Sequence, residues 1–114
     1  MKIDDLINEV RHEIDVLEKQ GYTLDGVDLL ENDLHLMKKF RLLKDLIDVR
    51  SELNPEKPIF SDEFKNFMKS DHKLKPLTNT QHRFAEWLIE NKKMVSQIGS
   101  LTNVFIAVRK YLKR

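Results

Sequence analysis

The sequence predicts an all-α protein, with a long N-terminal helical hairpin followed by a compact C-terminal helical bundle. Three observations carry that expectation. Apolar residues recur at spacings of three and four through Ile3, Ile7, Val10, Ile14 and Leu17, which is the rhythm of one helix face. From Leu29 to Leu53 neither proline nor glycine interrupts the chain. The three Gly and three Pro among 114 residues fall between the periodic stretches. With 40% apolar and 34% charged residues, the chain has enough apolar side chain for one folded core.

In the first helix, Leu6 widens the apolar stripe, while Asp5, Glu9, Arg11, Glu13 and Glu18 lie mostly outside it. Asp4 and Asp5 suit the positive end of the helix dipole and Lys19 the negative end. Gly21 is the expected stop, because a residue without a Cβ adopts the left-handed backbone that closes a last turn. Tyr22 to Gly26 then connect to the second helix, with Asp25 or Asp28 as its cap.

The second helix carries two apolar stripes. Leu29, Leu36, Phe40, Leu43 and Ile47 form one, and Leu42, Leu46, Val49 and Leu53 the other. At about 100° per residue they lie roughly 120° apart. A single first helix does not cover both, so the second half should be buried by more than one neighbour. This surface must meet the C-terminal half, a second copy in a homodimer or another protein, and Leu42, Leu46, Val49 and Leu53 are the candidate protein interface.

Asn54 to Pro58 end this helix, since proline cannot continue the hydrogen-bond ladder. Ser61 is the expected cap of a short helix reaching about Lys69. Its aromatic surface of Ile59, Phe60, Phe64, Phe67 and Met68 reads as a wedge between the two halves. Ser70 to Pro76 reads as a loop, and Thr78 or Asn79 starts the next helix, with Phe84, Trp87, Leu88 and Asn91 inward. Met94, Val95 and Ile98 continue the rhythm up to Gly99 and Ser100. A last helix from about Leu101 to Tyr111 would bury Leu101, Val104, Phe105, Val108 and Leu112. The organisation is thus an acidic hairpin over 1–54 and a basic helical region over 59–114, joined in one cooperative fold.

Charge is also split along the length of the chain. Residues 1–71 carry 17 acidic and 11 basic side chains, whereas 72–114 carry two acids, Glu86 and Glu90, against nine bases. A basic helical segment collects phosphate, and an acidic amphipathic one holds subunits or repels the same phosphate. Within the basic part, a helix carrying Met94, Val95 and Ile98 runs into Gly99, and the next helix returns Phe105 and Val108 to the core. This stretch, Asn91 to Lys110, resembles a helix-turn-helix, with Gly99 in the tight turn.

That resemblance implies a reading face of Thr102, Asn103, Ile106 and Lys110. Asn103 would pair with adenine, Ile106 would contact thymine methyls, and Thr102 or Lys110 would meet phosphate or a base edge. Arg83, Lys92, Lys93, Lys113 and Arg114 would position the duplex backbone. The leading expectation is a small DNA-binding regulator with a dimerisation or protein-interaction helix. The alternative is a helical protein-binding inhibitor or assembly adaptor that does not itself bind nucleic acid.

Other chemistry does not assemble. His12, His35, His72 and His82 are scattered, and no H-E-x-x-H or acidic calcium loop occurs, so no metal is expected. Glu9 with Glu13, and Glu86 with Glu90, lie one turn apart as ordinary surface acids. With neither a phosphate-binding glycine loop nor a nucleophile elbow, the expectation is a non-enzyme without a cofactor or a small-molecule substrate. No cysteine occurs and no apolar run approaches a membrane span, and the first twenty residues are too acidic for a signal peptide. A cytoplasmic location with no membrane partner is the corresponding expectation.

Overall fold

The computed structural model describes residues 2–53, 62–91 and 102–114. Every regular element among the described residues is a helix: α1 (Ile3–Gly21), α2 (Gly26–Leu53), α3 (Asp62–Ser70), α4 (Asn79–Glu90) and α5 (Thr102–Lys113). The chain divides into two compact units, residues 1–50 and 51–114.

The first unit is the hairpin of α1 and α2. Its apolar stripes are those of the sequence. Ile7, Val10 and Ile14 are buried on α1, and Leu36, Phe40, Leu43 and Ile47 on α2. Burying side chains of this kind contributes roughly 1.5–3 kcal/mol each. Three pairings run in opposite directions along the two helices and so fix them as antiparallel. Asp4 meets Arg50 at 3.6 Å, Glu13 meets Lys39, and the Asn32 amide donates to the Leu17 carbonyl at 2.9 Å. The two ion pairs are part-exposed and add little stability. Asn32 is different, being the one buried polar side chain among the described residues. Its hydrogen bond is specific to one register of the hairpin, because sliding either helix would leave the amide in the core without its carbonyl.

The turn between α1 and α2 corrects one expectation. Gly21 remains helical, and the left-handed residue is Gly26, at φ 55° in the first turn of α2. At Gly21 a side chain would meet only ordinary contacts. A Cβ built there would stand 3.4 Å from the Asn32 amide nitrogen and 3.9 Å from a Leu29 methyl. Gln20 closes α1 by accepting both the Thr23 N–H at 3.0 Å and the Thr23 hydroxyl at 2.9 Å. The Asp25 carbonyl accepts the Leu29 N–H at 3.2 Å and opens α2.

The second unit is built on α3, α4 and α5. Thr78 caps α4 through a capping box, its hydroxyl accepting from the Gln81 N–H at 3.2 Å while the Gln81 side chain accepts the Thr78 N–H at 3.0 Å. Phe84, Ala85, Trp87 and Leu88 of α4 are buried with Val104, Phe105, Ala107, Val108 and Tyr111 of α5. Phe84 and Phe105 meet edge-on, their centroids 6.3 Å apart. Asn91, expected inward, is only half-buried and ends α4, its amide donating to the Trp87 carbonyl at 2.8 Å. Leu112 is half-buried where burial was expected, and Tyr111 takes the core position.

Phe64 of α3 explains that exchange. Its ring packs edge-on against His82 at 5.0 Å and against Tyr111 at 5.2 Å, and so joins the start of α4 to the end of α5. Phe67 adds a second edge contact to Tyr111 at 5.2 Å. The aromatic surface of α3 thus packs within the second unit. The expected capping residue Ser61, the connection through Pro55 and Pro58, and Ile59 and Phe60 lie outside the described residues.

Candidate functional site

The surface expected to meet nucleic acid centres on α5. Helical spacing puts Val104, Val108 and Tyr111 on its buried side, and Thr102, Ile106, Arg109 and Lys113 on the opposite side. Thr102, Asn103 and Ile106 are half-buried, while Lys110 and Lys113 are exposed. Arg83 of α4 is half-buried and its Nε lies out of solvent. Lys92 and Lys93, and the expected turn through Val95, Gly99 and Ser100, lie outside the described residues.

Two of the cations at the end of α5 are engaged within the chain. Lys110 stands 3.6 Å from an Asp71 carboxylate oxygen. Asp71 also accepts the Lys73 N–H at 3.0 Å, which turns the chain after α3. Arg114 pairs with Glu63 and lies 4.0 Å over the Tyr111 ring. The Arg114 hydrogen bond and charge hold the Glu63 carboxyl below its ordinary range, with a further hydrogen bond from Tyr111, and the same bond holds Arg114 more firmly protonated. Burial raises the Tyr111 hydroxyl above its ordinary value.

The second expected surface is on α2. Leu42 and Val49 are each 43% exposed and Leu53 is 64% exposed, with Leu46 half-buried. The stripe expected to be buried by a further neighbour is therefore largely open. A second exposed ridge was not anticipated. Val27, Leu30 and Leu34, spaced by three and four residues on one face near the hairpin tip, are 70, 64 and 54% exposed. In sequence they are overshadowed by Leu29 and Leu36, whose periodicity marks the core. Only the registration against α1 shows which leucines are left outside.

The hairpin also brings together two histidines far apart in sequence. His12 of α1 and His35 of α2 line one open depression of about 300 Å³, crossed by the Glu13–Lys39 ion pair and floored by Val16 and Leu17. Among the described residues no three His, Asp or Glu side chains converge to hold a metal ion, and no helix is long and apolar enough to cross a membrane.

These observations define an all-α protein of two helical units, with an exposed apolar helix face on the acidic unit and partly neutralised cations on the basic one. No protein-family model, curated protein or solved structure matches the chain.

Proposed function

We propose that the protein is a non-enzymatic helical protein-interaction module, an adaptor or inhibitor that works by occupying a surface of its target. The observation that carries this reading is the contrast along α2. Leu36, Leu43 and Ile47 are buried, yet Val27, Leu30, Leu34, Leu42, Val49 and Leu53 of the same helix stand open. Isolated exposed leucines are common on soluble proteins, but six large apolar side chains on one helix make a surface suited to another protein.

The test is site-specific photo-crosslinking in the cells that make the protein, with a photoreactive leucine analogue at position 30, 34, 42 or 49 and, as control, at buried position 43. A discrete covalent adduct at the exposed positions and none at 43 is expected. An adduct of twice the chain's mass identifies the partner as a second copy. Absence of an adduct at all four exposed positions overturns the reading.

Duplex DNA binding by the basic unit is the second reading. It is supported by α5, where Thr102 and Ile106 lie opposite the buried residues and Lys110 and Lys113 are exposed. Against it, Lys110 and Arg114 already have carboxylate partners. Salt-dependent binding to duplex DNA decides it.

A further inference from the structure

We infer that the ridge of Val27, Leu30 and Leu34 docks an amphipathic helix of another protein whose apolar stripe is bordered by lysine or arginine. This inference rests on the protein-interaction reading and adds to it the chemistry of the partner. Its first support is geometric. The three side chains follow i, i+3, i+7 spacing over two turns, about 10 Å of helix, which is the spacing by which one helix presents anchors to another.

Charge supplies the second support. Between Lys19 and Lys38 the chain carries Asp25, Asp28, Glu31 and Asp33 and no lysine or arginine. At about 100° per residue Glu31 falls on one side of the ridge and Asp33 on the other, so carboxylates border the apolar strip along both edges. Such a border attracts a cationic partner and repels an anionic one, which sets specificity and encounter rate. It also disfavours a second copy of the same tip, since that pairing would bring carboxylate against carboxylate. Lys38 and Arg41, four and seven residues after Leu34, continue the ridge's own face and end the apolar strip there.

The ridge is also held in place before any partner arrives. On the inward side of the same turns, Asn32 is buried and bonded to the Leu17 carbonyl at 2.9 Å. The exposed anchors therefore stand on a backbone already fixed to α1, which reduces the ordering cost of docking.

The test uses the full chain and two synthetic amphipathic helices of about 14 residues, long enough to form a docked helix. One is built of leucine and lysine, the other of leucine and glutamate with the same apolar stripe. Binding is followed by calorimetry and by backbone amide shifts. The leucine–lysine peptide is expected to bind, with the largest shifts at 27–34. The Leu30→Ser/Leu34→Ser variant should bind about tenfold more weakly or worse, as loss of interface anchors predicts. The Glu31→Gln/Asp33→Asn variant should bind more weakly at low salt, with the difference shrinking as salt rises. Leu30, Glu31 and Leu34 are exposed and Asp33 is half-buried, and unchanged far-ultraviolet dichroism verifies the fold of both variants.

Equal binding of the two peptides, shifts centred elsewhere on the molecule, or no binding at all each overturns the inference. Crosslinked adducts at positions 30 and 34 in cells, together with failure of the leucine–lysine peptide, would keep the interaction reading and reject only this partner chemistry.

Discussion

His82 is a titratable side chain whose surroundings oppose its charge. It packs edge-on against Phe64, and its Nε2 lies 3.6 Å from a Glu86 carboxylate oxygen. Burial lowers its pKa below the ordinary 6.5, and the positive charge of Lys65 adds to that effect. These two causes outweigh the pull of Glu86. Because the folded-state pKa is lowered, the unfolded chain takes up the proton first as pH falls. Stability from this residue is therefore complete above pH about 6.5 and declines as pH drops toward the folded-state value. Denaturant titrations from pH 7.5 to 5 should show that decline, and His82→Phe should flatten it. A wild-type midpoint that is constant over this range would contradict the assignment.

The two hairpin glycines give a matched pair at the same scale. Gly26→Ala forces a side chain into φ 55° and should cost about 1 kcal/mol. Gly21→Ala meets only a 3.4 Å contact with the Asn32 amide in helical backbone, so its change in stability should be less than half as large. In the sequence Gly21 ends the apolar stripe of α1, which points to it as the left-handed residue. The position of a turn's positive φ depends on how the chain re-enters α2, which the stripe does not record.

Elements were legible where their own periodicity decides their burial. The inward faces of α1 and α2 followed from three-and-four spacing, as did Phe84, Trp87 and Leu88 on α4. The aromatic junction of Phe64, His82 and Tyr111 was not, because its three members come from separate helices and meet only after those helices dock. For the same reason the ridge of Val27, Leu30 and Leu34 emerged only once the register of the hairpin was known. That division of α2 is measurable. Leu43→Ala removes a fully buried side chain and should destabilise the protein by about 2–5 kcal/mol. Leu34→Ala changes an exposed position and should stay within about 0.5 kcal/mol. Thermal or urea unfolding of the two variants checks the contrast, and comparable losses would show that Leu34 is covered. Thr78→Ala, which removes half of the capping box on α4, should cost about 1 kcal/mol.

For the whole molecule, the decisive property is the segregation of charge, with 17 of the 19 acids in residues 1–71 and nine bases in residues 72–114. The sequence shows this segregation directly but does not show how many of the bases remain available to an anion. The ion pairs of Lys110 with Asp71 and of Arg114 with Glu63 consume part of the positive field locally. If the basic unit meets duplex DNA, few phosphates are neutralised and the dependence of affinity on salt is shallow, since each phosphate contact contributes a slope of about 0.9 in log K against log salt. Lys113 is exposed on the outward side of α5, so Lys113→Gln should reduce that slope by about 0.9. Asp71→Asn should strengthen binding by releasing Lys110, and Leu30→Ser, on the acidic unit, should leave both slope and affinity unchanged. A folded protein that fails to bind duplex DNA at low salt, with or without Asp71→Asn, rejects duplex DNA as a ligand of the basic unit.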